Sequence, residues 1–115
     1  MDHHNLITYQ KAKFLTKKII FLSGSLPKTK AHEIVLHQLI RSASSIGANI
    51  AEGYGRNNPK EYKQFLGIAR GSALETEYWL EILSESTSIQ ISDIMELNRE
   101  LIKILTVTIK NLGNP

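Results

Sequence analysis

The chain has 115 residues, no cysteine and a formal net charge of +3. This length supports one domain with a single core, and the absence of cysteine excludes both a disulfide framework and a thiolate zinc site. No apolar run approaches the roughly 20 residues that span a bilayer, and lysines interrupt the apolar residues of the N-terminus, unlike in a signal peptide. We therefore expect a cytoplasmic protein that forms a single domain, residues 1–115, and makes no membrane contact.

Four helical segments are predicted in chain order, at about residues 5–23, 29–54, 59–84 and 92–112. The first break, residues 23–28 (SGSLPK), contains the glycine and proline that end helices. Thr29 is suited to cap the second helix, and Asn58 before a proline is suited to start the third. Between them, Gly53 and Gly55 are expected to stop the second helix.

Within these segments, apolar residues recur three or four positions apart and would line one face of each helix. The faces comprise Ala12, Leu15, Ile19 and Leu22 in the first helix; Leu36, Leu39, Ala43, Ile46, Ile50 and Tyr54 in the second; Tyr62, Phe65, Leu66, Ala69, Ala73, Thr76, Trp79, Leu80 and Leu83 in the third; and Ile94, Leu97, Leu101, Ile104 and Thr108 in the fourth. Four such faces joined by short breaks predict an all-α fold, an antiparallel up-down-up-down four-helix bundle.

The face of the second helix opposite its apolar stripe is small and polar. It carries Gln38, Arg41, Ser42, Ser45, Asn49 and Glu52. Two interpretations stay open: the face is semi-buried against another helix with its polar groups hydrogen-bonded, or it is solvated.

Charge is distributed unevenly along the chain. Residues 1–30 hold six lysines against one acid, whereas residues 71–100 hold seven acids against one arginine. Basic patches attract nucleic acid, although lysines also simply solvate a surface. The candidate nucleic-acid contacts are Lys11, Lys13, Lys17, Lys18, Lys28, Lys30, Arg56, Lys60 and Lys63.

Two helices carry apolar or small residues that a single bundle does not need. In the first helix, apolar residues outside the core face recur every seven positions. In the third helix, two glycines four positions apart begin a second stripe, on the side away from the core face. Because glycine inside a helix costs about 1 kcal/mol relative to alanine, the pair suggests that another backbone comes close. The candidate interface of a homo-oligomer comprises Ile7, Phe14, Phe21, Gly67, Gly71, Leu74 and Tyr78.

The stretch GYGR, residues 53–56, does not match a phosphate-binding loop, because no predicted strand precedes it and no Gly-Lys-Ser/Thr follows. A carboxylate near a helix C-terminus is opposed by the helix dipole, so Glu52 needs a partner, and Arg56 lies four residues further on. We interpret this segment as a structural turn. Its residues are Asn49, Glu52, Gly53, Gly55 and Arg56.

The sequence RSASSIGANIAEGYGRNNPKEYKQFLGIARGSALETEYWL closely resembles the signature of a bacterial four-helix-bundle family. This family includes the proteins encoded by intervening sequences within 23S rRNA genes, and its relatives include the accessory variability determinants of diversity-generating retroelements. The matching residues are Ser45, Ile46, Asn49, Ile50, Ala51, Glu52, Gly53, Gly55, Arg56, Phe65, Leu66, Ile68, Ala69, Gly71, Ser72 and Glu75. The resemblance implies a four-helix bundle that assembles as a homopentamer. It also implies nucleic-acid binding, with a reverse transcriptase as partner in the retroelement relatives.

Three functions follow as hypotheses. The first is a non-enzymatic oligomeric module that binds RNA or DNA, and the second is a protein–protein interaction scaffold whose lysines only solvate it. The third, an enzyme, has little support, because the chain has neither a Glu-x-x-His metal pair nor a Gly-x-Ser-x-Gly elbow. We therefore expect no catalytic residues, no cofactor and no metal site.

Overall fold

The computed structural model describes residues 2–114, which form four α-helices. They are α1 (Ile7–Leu22), α2 (Lys30–Gly55), α3 (Pro59–Ser86) and α4 (Ser92–Leu112). Short 3-10 turns at His3–Asn5 and Ser23–Ser25 lie before and after α1. The largest differences from the predicted boundaries are two residues, at the start of α1 and at the end of α3.

Polar side chains define the starts of α2 and α3. Thr29 accepts a hydrogen bond from the backbone N–H of His32 at 3.2 Å, and Asn58 accepts one from the backbone N–H of Glu61 at 3.1 Å. Pro59 takes the first turn of α3, where its missing N–H would have had no helical partner. The caps expected from the sequence therefore hold both helices at their N-termini.

The four helices enclose one hydrophobic core. Consecutive helices pack side by side, and α4 closes the bundle against α1, in a molecule of 46 × 21 × 20 Å. Their antiparallel order is visible in the ion pairs between α1 and α4, where Lys11 meets Glu100 and Lys18 meets Asp93. The fully buried large apolar side chains are Leu15, Ile19, Leu39, Ile46, Ile50, Leu66, Leu80, Leu83, Leu101 and Leu105. The predicted four-helix bundle is confirmed.

The apolar face predicted for α4 is partly wrong. Its buried residues are Ile94, Asn98, Leu101 and Leu105. The predicted members Leu97, Ile104 and Thr108 are only partly buried. Asn98 was missed because a search for apolar periodicity passes over an amide. It reaches the core because its side-chain N–H groups donate to the Ala73 carbonyl at 3.0 Å and to the Glu77 carboxylate at 3.3 Å.

The end of α2 also differs from the prediction that Gly53 and Gly55 stop the helix. The helix continues through Gly55, and the left-handed residue is Asn57, with φ 54°. Asparagine tolerates this conformation because its short side chain can hydrogen-bond locally. Gly53 is buried within α2, where an added Cβ would lie 2.5 Å from the Cβ of Phe65. Its function is therefore to let α2 and α3 approach closely.

Replacing Gly53 by alanine is expected to lower the free energy of unfolding by about 1–3 kcal/mol, because the added methyl group overpacks the α2–α3 contact. Gly55→Ala is the matched control, since a Cβ at Gly55 meets nothing within 4 Å. Urea denaturation followed by circular dichroism measures both variants. Equal stability of the two variants would contradict the close-contact role of Gly53.

Candidate nucleic-acid interface

A polar seam joins the middle of α2 to α3. The Ser42 and Thr76 hydroxyl oxygens lie 2.9 Å apart, as do those of Ser45 and Ser72. Asn49 donates to the Ser45 carbonyl at 2.8 Å and to the Ser45 hydroxyl at 2.9 Å. Ser42 and Thr76 are buried. The polar face of α2 is therefore semi-buried against α3 and not solvated.

Ion pairs lie at both ends of this seam. Arg41 pairs with Glu75 at one end. At the other end the Arg56 guanidinium lies 2.9 Å from the Glu52 carboxylate of α2 and 3.9 Å from that of Glu61 in α3. Arg56 thus connects the two helices across the turn, with its charge directed at carboxylates of its own chain.

The basic residues of α1 divide into two groups. The ammonium groups of Lys11 and Lys18 lie 2.7 Å from the carboxylates of Glu100 and Asp93 in α4. The other candidate lysines near the N-terminus form no ion pair in the described part of the chain: Lys13, Lys17, Lys28 and Lys30. The helical spacing of the lysines does not reveal this division, because the acids that neutralise two of them lie about 80 residues away and reach them only through the fold.

A second basic surface lies between α3 and α4. Two adjoining cavities of about 400 and 340 Å³ open there and share Ile109. Their lining includes Lys60, Lys63, Arg70 and Lys110, together with Gln64, Gly67, Thr106 and Asn114. No carboxylate side chain lines them within residues 2–114. We call the four cations and the surface between them the α3–α4 basic groove. Sequence reasoning proposed Lys60 and Lys63 but missed Arg70 and Lys110.

The residues proposed for the oligomer interface are exposed to solvent in the single subunit. Phe21 is 89% exposed and Phe14 is 53% exposed, and both line an open cavity of about 510 Å³ between α1 and the start of α4. On α3, Tyr78 is half exposed, and a Cβ at Gly67 or Gly71 would meet nothing within 4 Å. A side chain at either glycine would therefore have free space within the bundle. Ile7 and Leu74 are exposed as well.

Two further properties of residues 2–114 bear on function. No group of three or more histidine, aspartate or glutamate side chains is arranged to hold a metal ion. None of the described helices combines the length and the apolar character that crossing a membrane requires.

The fold and surface define a small antiparallel four-helix-bundle protein with a polar α2–α3 seam and a basic groove between α3 and α4. The family described as "23S rRNA-intervening sequence protein" matches residues 4–110, and the chain belongs to this family. The resemblance of the signature in α2 and α3 is thereby confirmed.

A similar solved structure is a protein of unknown function from the S23 ribosomal protein family of Bacteroides thetaiotaomicron. It is 31% identical in sequence and superimposes with a TM-score of 0.82, over 90% of this chain and 99% of that one. A comparison with curated proteins found no significant match.

The Lys18–Asp93 ion pair predicts a change of stability with acid. The hydrogen bond from Lys18 lowers the pKa of Asp93 below its ordinary value of 3.8. Because the pKa is lower in the folded state, the stabilisation is present above pH 3.8 and is lost as the pH falls through the folded-state pKa.

We therefore expect Asp93→Asn to reduce the pH dependence of the melting temperature below pH 3.8. Glu96→Gln removes a carboxylate of the same helix that forms no ion pair within residues 2–114, and it is the matched control for the loss of one negative charge. A wild-type pH profile in Asp93→Asn would argue against the contribution of the ion pair.

Proposed function

We propose that the protein is a non-enzymatic, homo-oligomeric module that binds nucleic acid, RNA or DNA, through its basic surface. The supporting observation is an imbalance of charges that the bundle does not neutralise. Among the described residues, the cations without an ion pair are Lys13, Lys17, Lys28, Lys30, Lys60, Lys63, Arg70, Lys103 and Lys110, whereas the carboxylates without one are Glu33, Glu81, Glu85 and Glu96. Cations of this kind contact phosphates and give affinity with little sequence preference.

The names of the family and of the similar structure support an RNA context. One refers to an intervening sequence in 23S rRNA, and the other to a ribosomal protein family. We propose on this basis that the nucleic acid is an RNA in the bacterial cytoplasm. DNA remains the alternative with the same phosphate chemistry.

Self-association is the second part of the proposal. The exposed stripe of α1 has the unpaired Lys17 beside it, in the cavity that Phe14 and Phe21 line. The exposed stripe of α3 leads into the unpaired acids Glu81 and Glu85. Because the two stripes differ in chemistry, the α1 stripe of one copy would contact the α3 stripe of the next, in a head-to-tail arrangement. Such contacts close into a ring when the rotation between neighbouring subunits divides a full turn evenly. The subunit number proposed, five, follows the family resemblance. A ring would repeat a weak basic surface and raise its avidity.

A protein–protein interaction scaffold is the second candidate. The exposed Phe14 and Phe21 favour it, because large aromatic side chains at a surface are typical anchors of protein interfaces. In that case another protein would cover α1, and the lysines would serve solubility alone.

Size-exclusion chromatography with light scattering tests the assembly, and we expect a mass close to that of a pentamer. The double variant Phe14→Ser/Phe21→Ser should dissociate without losing helix content, because both side chains are exposed in the bundle. Val107→Ser, at an apolar position of α4 that is 56% exposed, is the control. A monomeric wild-type protein would overturn the assembly.

Fluorescence polarisation with labelled single-stranded RNA and DNA tests the binding. We expect the logarithm of the association constant to fall linearly with the logarithm of the salt concentration, because bound lysines displace counterions from phosphates. Absence of binding at low salt, or binding indifferent to salt, would reject the nucleic-acid role and favour the scaffold.

A further inference from the structure

We infer that the α3–α4 basic groove, and not the lysine-rich α1, is the track that holds the phosphodiester backbone of the bound nucleic acid. The inference rests on the proposed function and specifies its surface. It moves the principal contact away from the part of the sequence where lysines are most concentrated.

Charge compensation is the first argument. Two of the four cations of the groove are held by neutral oxygen atoms: the Arg70 guanidinium donates to the Thr106 hydroxyl at 2.7 Å, and the Lys63 ammonium donates to the Gly113 carbonyl. Neutral partners orient a cation without cancelling its charge. On α1, by contrast, two of the four lysines, Lys11 and Lys18, each face a carboxylate, and a phosphate there would have to compete with an existing ion pair. Only Lys13 and Lys17 stay unpaired on α1 among the described residues, against all four cations of the groove.

The second argument is the length of the groove. Lys60, Lys63 and Arg70 follow one another on α3, and Lys110 faces them from α4. Ten residues of helix, from 60 to 70, extend over about 15 Å, which is the rise of several nucleotides of one strand. The cations are therefore spread along a line and can contact several consecutive phosphates of one strand.

Gly67 supplies the space between these cations. It lies one helical turn from both Lys63 and Arg70, and a Cβ there would meet nothing within 4 Å. A glycine in mid-helix costs about 1 kcal/mol relative to alanine, and no contact with the described residues requires it at this position. The inference accounts for it, because the missing side chain lets a strand approach the helix surface. Gly71, Leu74 and Tyr78, further along α3, remain available for a subunit contact.

The groove also has a defined end. Beyond Arg70, the Glu77 carboxylate and the Arg99 guanidinium, 2.8 Å apart, cross from α3 to α4. Glu81 and Glu85 follow on α3 and would repel phosphate. The strand is thus confined to the groove itself, in the half of the α3–α4 surface next to the α2–α3 turn. Gln64 and Asn114 flank it there and offer amide groups to riboses and bases.

Two variants that remove the same charge from different surfaces test the inference. Lys63→Gln/Arg70→Gln/Lys110→Gln removes three of the four cations of the groove, and Lys13→Gln/Lys17→Gln/Lys28→Gln removes three unpaired lysines from α1 and the segment before α2. Binding of a fluorescein-labelled oligouridylate is measured over a series of salt concentrations, with light scattering to verify the assembly. We expect the groove variant to lose affinity about tenfold or more and its salt slope to decrease by about 2, with a clearly smaller loss in the other variant.

A substitution at Gly67 provides a second readout. Gly67→Glu places a carboxylate between Lys63 and Arg70, whereas Gly67→Ala fills the same open space without charge, so the difference between them isolates electrostatics from helix propensity. We expect the glutamate variant to bind several-fold more weakly than the alanine variant, with unchanged or higher thermal stability for both.

Each outcome separates the inference from the proposed function. If the α1 variant loses as much affinity as the groove variant, or more, the groove assignment is overturned while nucleic-acid binding stands. Equal binding by Gly67→Glu and Gly67→Ala also overturns it. If the wild-type protein binds no oligouridylate at low salt, both the inference and the proposed function fail.

Discussion

The close contact between α2 and α3 is the constraint on which the rest of the structure depends. Gly53 brings the two helices together against Phe65, and the hydroxyl pairs Ser42–Thr76 and Ser45–Ser72 fix their register. Large apolar side chains would hold the helices further apart, and their packing would tolerate sliding more easily than paired hydroxyl groups do. The residues of the family signature thus have a structural explanation, because most of them lie in this contact or in the turn that follows it.

With α2 and α3 held together, the position of α4 determines which charges remain at the surface. One face of α4 meets α1 and brings Glu100 and Asp93 to Lys11 and Lys18. Its other face meets α3, where Asn98 donates to the Ala73 carbonyl. Two of the acids of α4, Asp93 and Glu100, are therefore paired on the α1 side, whereas the α3 side keeps uncompensated cations in the half next to the α2–α3 turn. Helix packing therefore determines where the surface is positive, and the density of lysines along the sequence matters less.

The outer surface of α3 changes character along its length. Near the α2–α3 turn it is basic and open, with Gly67 between Lys63 and Arg70, and further along it becomes apolar at Leu74 and Tyr78. One helix can thus serve two purposes without conflict. Its first half would contact phosphate and its second half another subunit, and a ring of such subunits would carry one basic groove per copy.

The sequence by itself determined the four helices, their caps at Thr29 and Asn58, most of the core and the family, because these depend on spacing and residue type over short distances. It predicted the exposed stripes of α1 and α3 for the same reason. It could not find Asn98 in the core or recognise Gly53 as a contact residue, since both depend on what another helix places opposite them. Only the tertiary structure decided which lysines are neutralised and that Lys110 of α4 joins Lys60, Lys63 and Arg70 of α3, because charges far apart in the chain become neighbours only when the helices pack.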